Sequence, residues 1–161
     1  MINLDSIKIV LFDFDDTLCI HTNHSWNEDI EFSQTISILQ LGKNAWSTCQ
    51  ISSHMEKFMK ECESKNIPMG LVSVVMSAKH MMCKQDWVLE KYGIFLENYC
   101  VGKAEDKIKV MRAISEAYGI PKSKILIVDD LWQTVSDAYN EGFLACSPME
   151  VVNYIEQKRE V

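Results

Sequence analysis

Residues 9–18 read IVLFDFDDTL, a short apolar run followed by three aspartates within four positions. The run, Ile7–Phe12, is broken by one lysine only and does not alternate, which is the pattern of a strand covered on both faces, as in a parallel sheet. Asp13, Asp15 and Asp16 then follow at what should be its carboxyl end. Carboxylates this close repel one another unless a cation neutralises them.

Other segments repeat the apolar pattern. Met69–Val75 (MGLVSVV) and Ile125–Val128 (ILIV) read as further buried strands, Phe143–Cys146 (FLAC) as a weaker one, and Tyr99–Val101 as a short one. Between them lie helical segments. In 52–65, Met55, Phe58, Met59 and Cys62 share one helix face. Ser77–Tyr92 and Glu105–Tyr118 read as helices stopped by Gly93 and Gly119, Thr134–Glu141 as a short helix stopped by Gly142, and Met149–Arg159 as a last helix after Pro148. The β-α alternation predicts an α/β protein: a Rossmann-like, doubly wound, three-layer α/β/α sandwich with a mostly parallel central sheet. No repeat, low-complexity tract or interdomain linker is visible, so residues 1–161 read as one domain.

Composition narrows the function. A net charge of −7 argues against a nucleic-acid or anionic-membrane surface, while leaving room for a small anionic substrate held by a few cations. None of the six cysteines forms a CxxC or CxC pair, which argues against a zinc ribbon or redox dithiol. No export signal and no stretch of about 20 apolar residues is read, so the expected location is the cytoplasm, with free thiols.

Ligands in doubly wound folds bind at the carboxyl ends of the strands. Asp13 and Asp15 follow the first strand, Ser73 lies in the second long run, and Asp129 and Asp130 follow ILIV. An oxygen-only set of this kind favours a hard ion, and Mg²⁺ suits best because it takes a few carboxylates, water and a substrate phosphate. Asp can also serve as a nucleophile toward phosphorus.

FDFDDTL resembles the first motif of the haloacid dehalogenase-like hydrolase superfamily, DxDxT after an apolar strand. Ser73 matches the family's second motif, Lys107 its third, and the acidic pair Asp129-Asp130 its fourth, over about residues 5–146. The resemblance implies an Mg²⁺-dependent phosphohydrolase that cleaves a phosphomonoester through an aspartyl phosphate. Asp13 would be the nucleophile and a metal ligand. Asp15 would be the general acid and base, with its backbone carbonyl on the metal. Ser73 and Lys107 would hold the phosphoryl oxygens, and Asp130 with Asp129 would complete the Mg²⁺ shell, with the directly bonded acid of the two left open. Lys107 is preferred to Lys103, and Ser73 to Ser77, which opens the next helix. Asp16 is expected outside the metal shell.

Departures from the family pattern are the acid at 129, where Gly is common, and Thr134, where a later Asp is common. The 55 residues between Thr17 and Ser73 leave room for a small helical insert only, at about 28–50, so the site should be capless or minimally capped. It would then admit a bulky phosphorylated substrate or be covered by an oligomeric neighbour. His21, His24 and Trp26, in the loop after the nucleophile, are read as a polar loop with an aromatic on the core, and a Trp132 facing the opening is weighed but not preferred. The competing readings are a non-catalytic binding or scaffold protein on the same fold, a phosphotransferase and a dehalogenase. The first predicts loss of one of the motif residues, and the last would need neither Asp15 nor the acidic pair.

Overall fold

A computed structural model of the chain describes residues 2–21 and 42–158. The elements run β1 (Ile9–Phe12), β2 (Cys19–Ile20), β3 (Gln50–Ile51), α1 (Ser53–Ser64), β4 (Met69–Val74), α2 (Ala78–Tyr92), β5 (Glu97–Val101), α3 (Asp106–Tyr118), β6 (Ile125–Val128), α4 (Trp132–Asn140), β7 (Leu144–Cys146) and α5 (Pro148–Gln157). Short 3-10 turns at Leu4–Ser6, Gly42–Trp46 and Lys122–Lys124 join them.

Five strands form one sheet in the order β5-β4-β1-β6-β7, every pairing parallel. The chain builds outward from β1 through β4 to β5, then returns to lay β6 on the other flank of β1. That reversal is the switch point of a doubly wound sheet, and the carboxyl ends of β4, β1 and β6 open a crevice there. β2 and β3 pair antiparallel as a separate ribbon just after β1.

The sheet divides the core into two layers. Val10, Phe12, Leu126 and Val128 pack with residues of α1, α2 and α5, while Ile9, Leu11, Ile125 and Ile127 pack with residues of α3 and α4. Alternate residues of one strand thus enter opposite layers, which is why β1 and β6 are buried at every position. Gly70 in β4 is demanded by packing: a Cβ there would lie 2.7 Å from the Tyr99 ring and 2.9 Å from Leu11.

Helix ends follow the capping signals. Ser77 caps α2 with its hydroxyl accepting from His80 N, and Ser147 and Glu150 form a capping box at α5. Gly93 and Gly119 take the left-handed conformation after α2 and α3. Of the expected insert at about 28–50, residues 42–46 form a 3-10 turn whose Trp46 is buried on Phe14. Residues 28–41 of that expectation lie outside the described residues, as do His24 and Trp26. Among the described residues no helix is long and apolar enough to cross a membrane.

Candidate active site

The strand ladder places the acids. Asp13 N donates to Val128 O (2.9 Å) and Asp129 N donates to Cys146 O (3.1 Å), so β1 and β6 end side by side and deliver Asp13 and Asp129 together. Phe14 is buried between Trp46 and Trp87, at ring centroid distances of 5.0 and 5.4 Å. That clamp anchors the peptide carrying Asp13 and Asp15. Its carbonyl accepts from Leu18 N and Cys19 N, folding the chain sharply back into β2.

Asp16 sits in this turn at φ +50°, a left-handed conformation that aspartate tolerates better than most residues. Its Oδ1 accepts from His21 N (3.1 Å). The third aspartate therefore shapes the turn.

Two ionic groups meet in the crevice. In the first, Lys107 in the opening turn of α3 places its ammonium 2.9 Å from Asp13 Oδ1 and 2.7 Å from Asp129 Oδ2. The lysine is only 1% exposed, and Asp13 and Asp129 are also buried. Asp130 stands exposed at the rim, and carboxylate oxygens of Asp13, Asp129 and Asp130 lie within 4.8 Å of one another. Burial pushes Asp13 up to about 7; Lys107 pulls against this, while Asp129 and Asp15 add to it. Asp130 is pushed up to about 6 by partial burial and by Asp129 and Asp16. Lys107 is held above its ordinary value: burial opposes its charge, but Asp13 and Asp129 outweigh it.

In the second group, Lys84 from α2 reaches Asp15 Oδ2 (2.7 Å), Ser73 Oγ (2.8 Å) and the Val74 carbonyl (3.4 Å). Its ammonium lies 4.8 Å from the Phe14 ring centre, and the residue is 2% exposed. His21 Nε2 lies 3.0 Å from Asp15 Oδ1. Burial alone would raise the Asp15 carboxyl, but Lys84, and then the hydrogen bond from His21, hold it well below the usual carboxylate range. His21 is raised in turn by that hydrogen bond.

Asp13, Asp15, Ser73, Lys107, Asp129 and Asp130 thus come from the ends of three adjacent strands and one helix start into one crevice. The rejected alternatives lie elsewhere. Lys103 is exposed beside Glu105, and the Ser77 hydroxyl is spent on its helix cap. Trp132 is 76% exposed and lines a groove with Tyr139, Leu144 and Tyr154 that includes none of the site aspartates.

Lys84 is not among the residues read from the sequence, and His21 is there only as part of a polar loop. Lys84 follows Met81 by three residues and precedes Val88 by four, so it falls on the buried stripe of α2. A lysine on an apolar stripe was the available signal.

The chemistry of the first group fits a divalent cation. With the acids ionised, three carboxylates face one ammonium, which leaves an excess of two negative charges among oxygen donors alone. Lys107 supplies the remaining positive charge from within the protein.

No family profile matches the chain, and no curated protein matches it. Solved structures do. The HAD family enzyme bt-2542 from Bacteroides thetaiotaomicron, as its magnesium complex, superposes with a TM-score of 0.58 at 16% identity, over 89% of this chain and 93% of that one. The wild-type form of that enzyme, in complex with magnesium and inorganic phosphate, gives 0.56 at 15% identity over 88% and 93%. The hydrolase SP0104 from Streptococcus pneumoniae, described as haloacid dehalogenase-like, gives 0.55 at 15% identity over 93% and 99%. Identity at this level speaks to architecture, and the architecture is unambiguous: this chain has the haloacid dehalogenase-like fold.

Proposed function

We propose that the chain is an Mg²⁺-dependent phosphohydrolase that cleaves a phosphomonoester through an aspartyl phosphate on Asp13. The observation that carries this reading is the segregation of two aspartates two residues apart. Asp13 stands in an under-neutralised carboxylate cluster, and Asp15 in a separate cluster with two nitrogen partners.

Asp13, Asp129 and Asp130 would hold the ion, joined by the Asp15 carbonyl; the ion would neutralise Asp13 and make the substrate's phosphorus more electrophilic. That complexes with magnesium and inorganic phosphate exist for a protein of the same fold supports the choice of ion. Lys107 bridges Asp13 and Asp129, so it orients the attacking carboxylate and offsets charge gathering on the transferred group.

Ser73 Oγ and Lys84 Nζ form a second donor pair facing Asp15. An arriving dianionic phosphoryl group competes with Asp15 for Lys84. As Lys84 turns to the phosphoryl oxygens, the Asp15 carboxyl loses its strongest cation and rises toward a value at which it can carry a proton. It then protonates the leaving oxygen as the P–O bond breaks and Asp13 Oδ bonds to phosphorus. In the second half, Asp15 takes a proton from the water that attacks the aspartyl phosphate, releasing inorganic phosphate and restoring Asp13.

The substrate class is a phosphorylated small molecule or protein. The six free cysteines are consistent with action in the cytoplasm. The test is turnover of an aryl phosphate by the wild-type protein and Asp13→Asn, with and without Mg²⁺. Turnover that requires both Mg²⁺ and Asp13 is expected. Metal-independent turnover, or full activity in Asp13→Asn, overturns the mechanism.

A further inference from the structure

The turn that carries Asp15 into β2 brings a second set of metal-ligating side chains together. Cys19 and His21 are two residues apart on β2 and its extension, so they share one face of the ribbon. The register pairs Cys19 with Ile51 and Ile20 with Gln50, which brings Cys49 opposite His21 on the same face. Cys49 Sγ lies 3.5 Å from His21 Nδ1, and the ligand atoms of Cys19, His21 and Cys49 all lie within 4.8 Å of one another.

We propose that Cys19, His21 and Cys49 form a zinc site, separate from the oxygen cluster around Asp13. The donor set is the type zinc selects, two thiols and an imidazole. The spacing fits as well: with Zn–S near 2.3 Å and Zn–N near 2.0–2.1 Å, tetrahedral geometry puts sulfur and nitrogen about 3.5–3.6 Å apart. Cys19 is fully buried and Cys49 half-buried, so the site is walled on one side and accessible on the other. Water completes the fourth position.

Binding is balanced in charge. Each thiol gives a proton to solvent, and the two thiolates with neutral His21 and Zn²⁺ make a neutral centre suited to a buried location. Ligation through Nδ1 leaves the proton on Nε2, 3.0 Å from Asp15 Oδ1. The result is a carboxylate–histidine–zinc arrangement in which His21 acts as a positioning residue that holds Asp15 as a hydrogen-bond acceptor. The zinc pins the ribbon after the turn and fixes one tautomer beside the crevice.

The test uses the full chain, purified with a non-chelating reductant, and reads metal content and the spectrum of the cobalt-loaded protein. Neither readout depends on turnover, so the zinc site and the phosphohydrolase reading fail separately. About one zinc per chain is expected, with thiolate-to-cobalt charge transfer in the near-ultraviolet. Both should be lost in Cys49→Ser, retained in Asp13→Asn, and recovered with weaker charge transfer in Cys49→His. Cys49 is half-exposed, so its substitutions leave the core intact. Zinc content unchanged in Cys49→Ser, zinc lost in Asp13→Asn, or a cobalt protein without charge transfer overturns the proposal.

Discussion

Asp13 and Asp15 are two residues apart, both crowded by other groups, and shifted in opposite directions. Asp13 has one ammonium to share with Asp129, so burial prevails and its carboxyl rises to about 7. Asp15 has Lys84 to itself on one oxygen and His21 on the other, so its partners prevail over burial. The difference is one of cation count. One half of the crevice sets three carboxylates against one ammonium and the other matches one carboxylate with one ammonium and an imidazole, a polarity that would draw a divalent cation to Asp13 and a phosphoryl dianion to Lys84. Occupancy of both would invert the pair, lowering Asp13 and freeing Asp15 to hold a proton.

The largest break in this comparison is Asp15→Asn, which keeps the shape and removes the proposed proton carrier. Turnover of an aryl phosphate should fall by roughly 10²–10⁴-fold, the usual loss for a missing acid-base group. The loss should shrink with substrates whose leaving groups are themselves acidic. Equal losses across good and poor leaving groups would remove Asp15 from the proton transfer.

Next in size is the contrast between the two buried lysines. Lys107→Met leaves Asp13 and Asp129 in the core with no cation, which should cost about 3–5 kcal/mol in the metal-free protein. Mg²⁺ should restore much of that. Lys84→Met leaves Asp15 half-exposed with His21 still in place, so the cost should be smaller, about 1–2 kcal/mol. Chemical denaturation with and without Mg²⁺ measures both. Equal costs for the two lysines would contradict the unequal cation count.

Much of this arrangement was legible in the sequence because it is local. The runs ending at Phe12 and Val128 are buried on both faces, so their ends, and the acids just after them, could be placed without coordinates. Lys107 and Ser73 are legible only as matches to the third and second motifs of the family the sequence resembles, with the helix start and the strand as support. Lys84 is not legible, because its partner is fixed by tertiary structure, and His21, although Asp15 is near in the chain, reads only as part of a polar loop. Lys84 meets Asp15 across 69 residues of chain, and Cys49 meets His21 across 28. α2 positions its lysine only once β4 and β1 are paired, and no local pattern records that.

The opposite shifts also predict opposite pH limits. Asp13 has a folded pKa raised from 3.8 to about 7, so its contribution to stability is full below about pH 4 and is lost as pH rises toward 7. At about 1.4 kcal/mol per pH unit the loss is at most about 4 kcal/mol. Asp15 is lowered, so its contribution holds above the ordinary carboxylate value and is lost as pH falls below it. Thermal melts of metal-free protein should show Asp13→Asn flattening the neutral limb and Asp15→Asn the acid limb. Mg²⁺, which binds ionised carboxylates, should raise Tm more at about pH 7.5 than at about pH 5. Mg²⁺ stabilisation that is independent of pH would mean that Asp13 is already ionised without it.

The smallest effect separates the two nitrogen partners that hold Asp15. His21 has its pKa raised by the hydrogen bond to Asp15, so in chelator-treated protein it contributes stability below about pH 6.5 that is lost as pH climbs through the raised value. His21→Gln should remove that step, about 1 kcal/mol, and leave the Asp13 step untouched. The imidazole proton signals should titrate above the ordinary histidine value in the wild type and fall back in Asp15→Asn. Reloading with zinc should abolish the titration, because Nδ1 on the metal and Nε2 donating to Asp15 leave no site for a further proton. A His21 that titrates at the ordinary value would assign Asp15 to Lys84 alone and remove the imidazole from the groups that hold it.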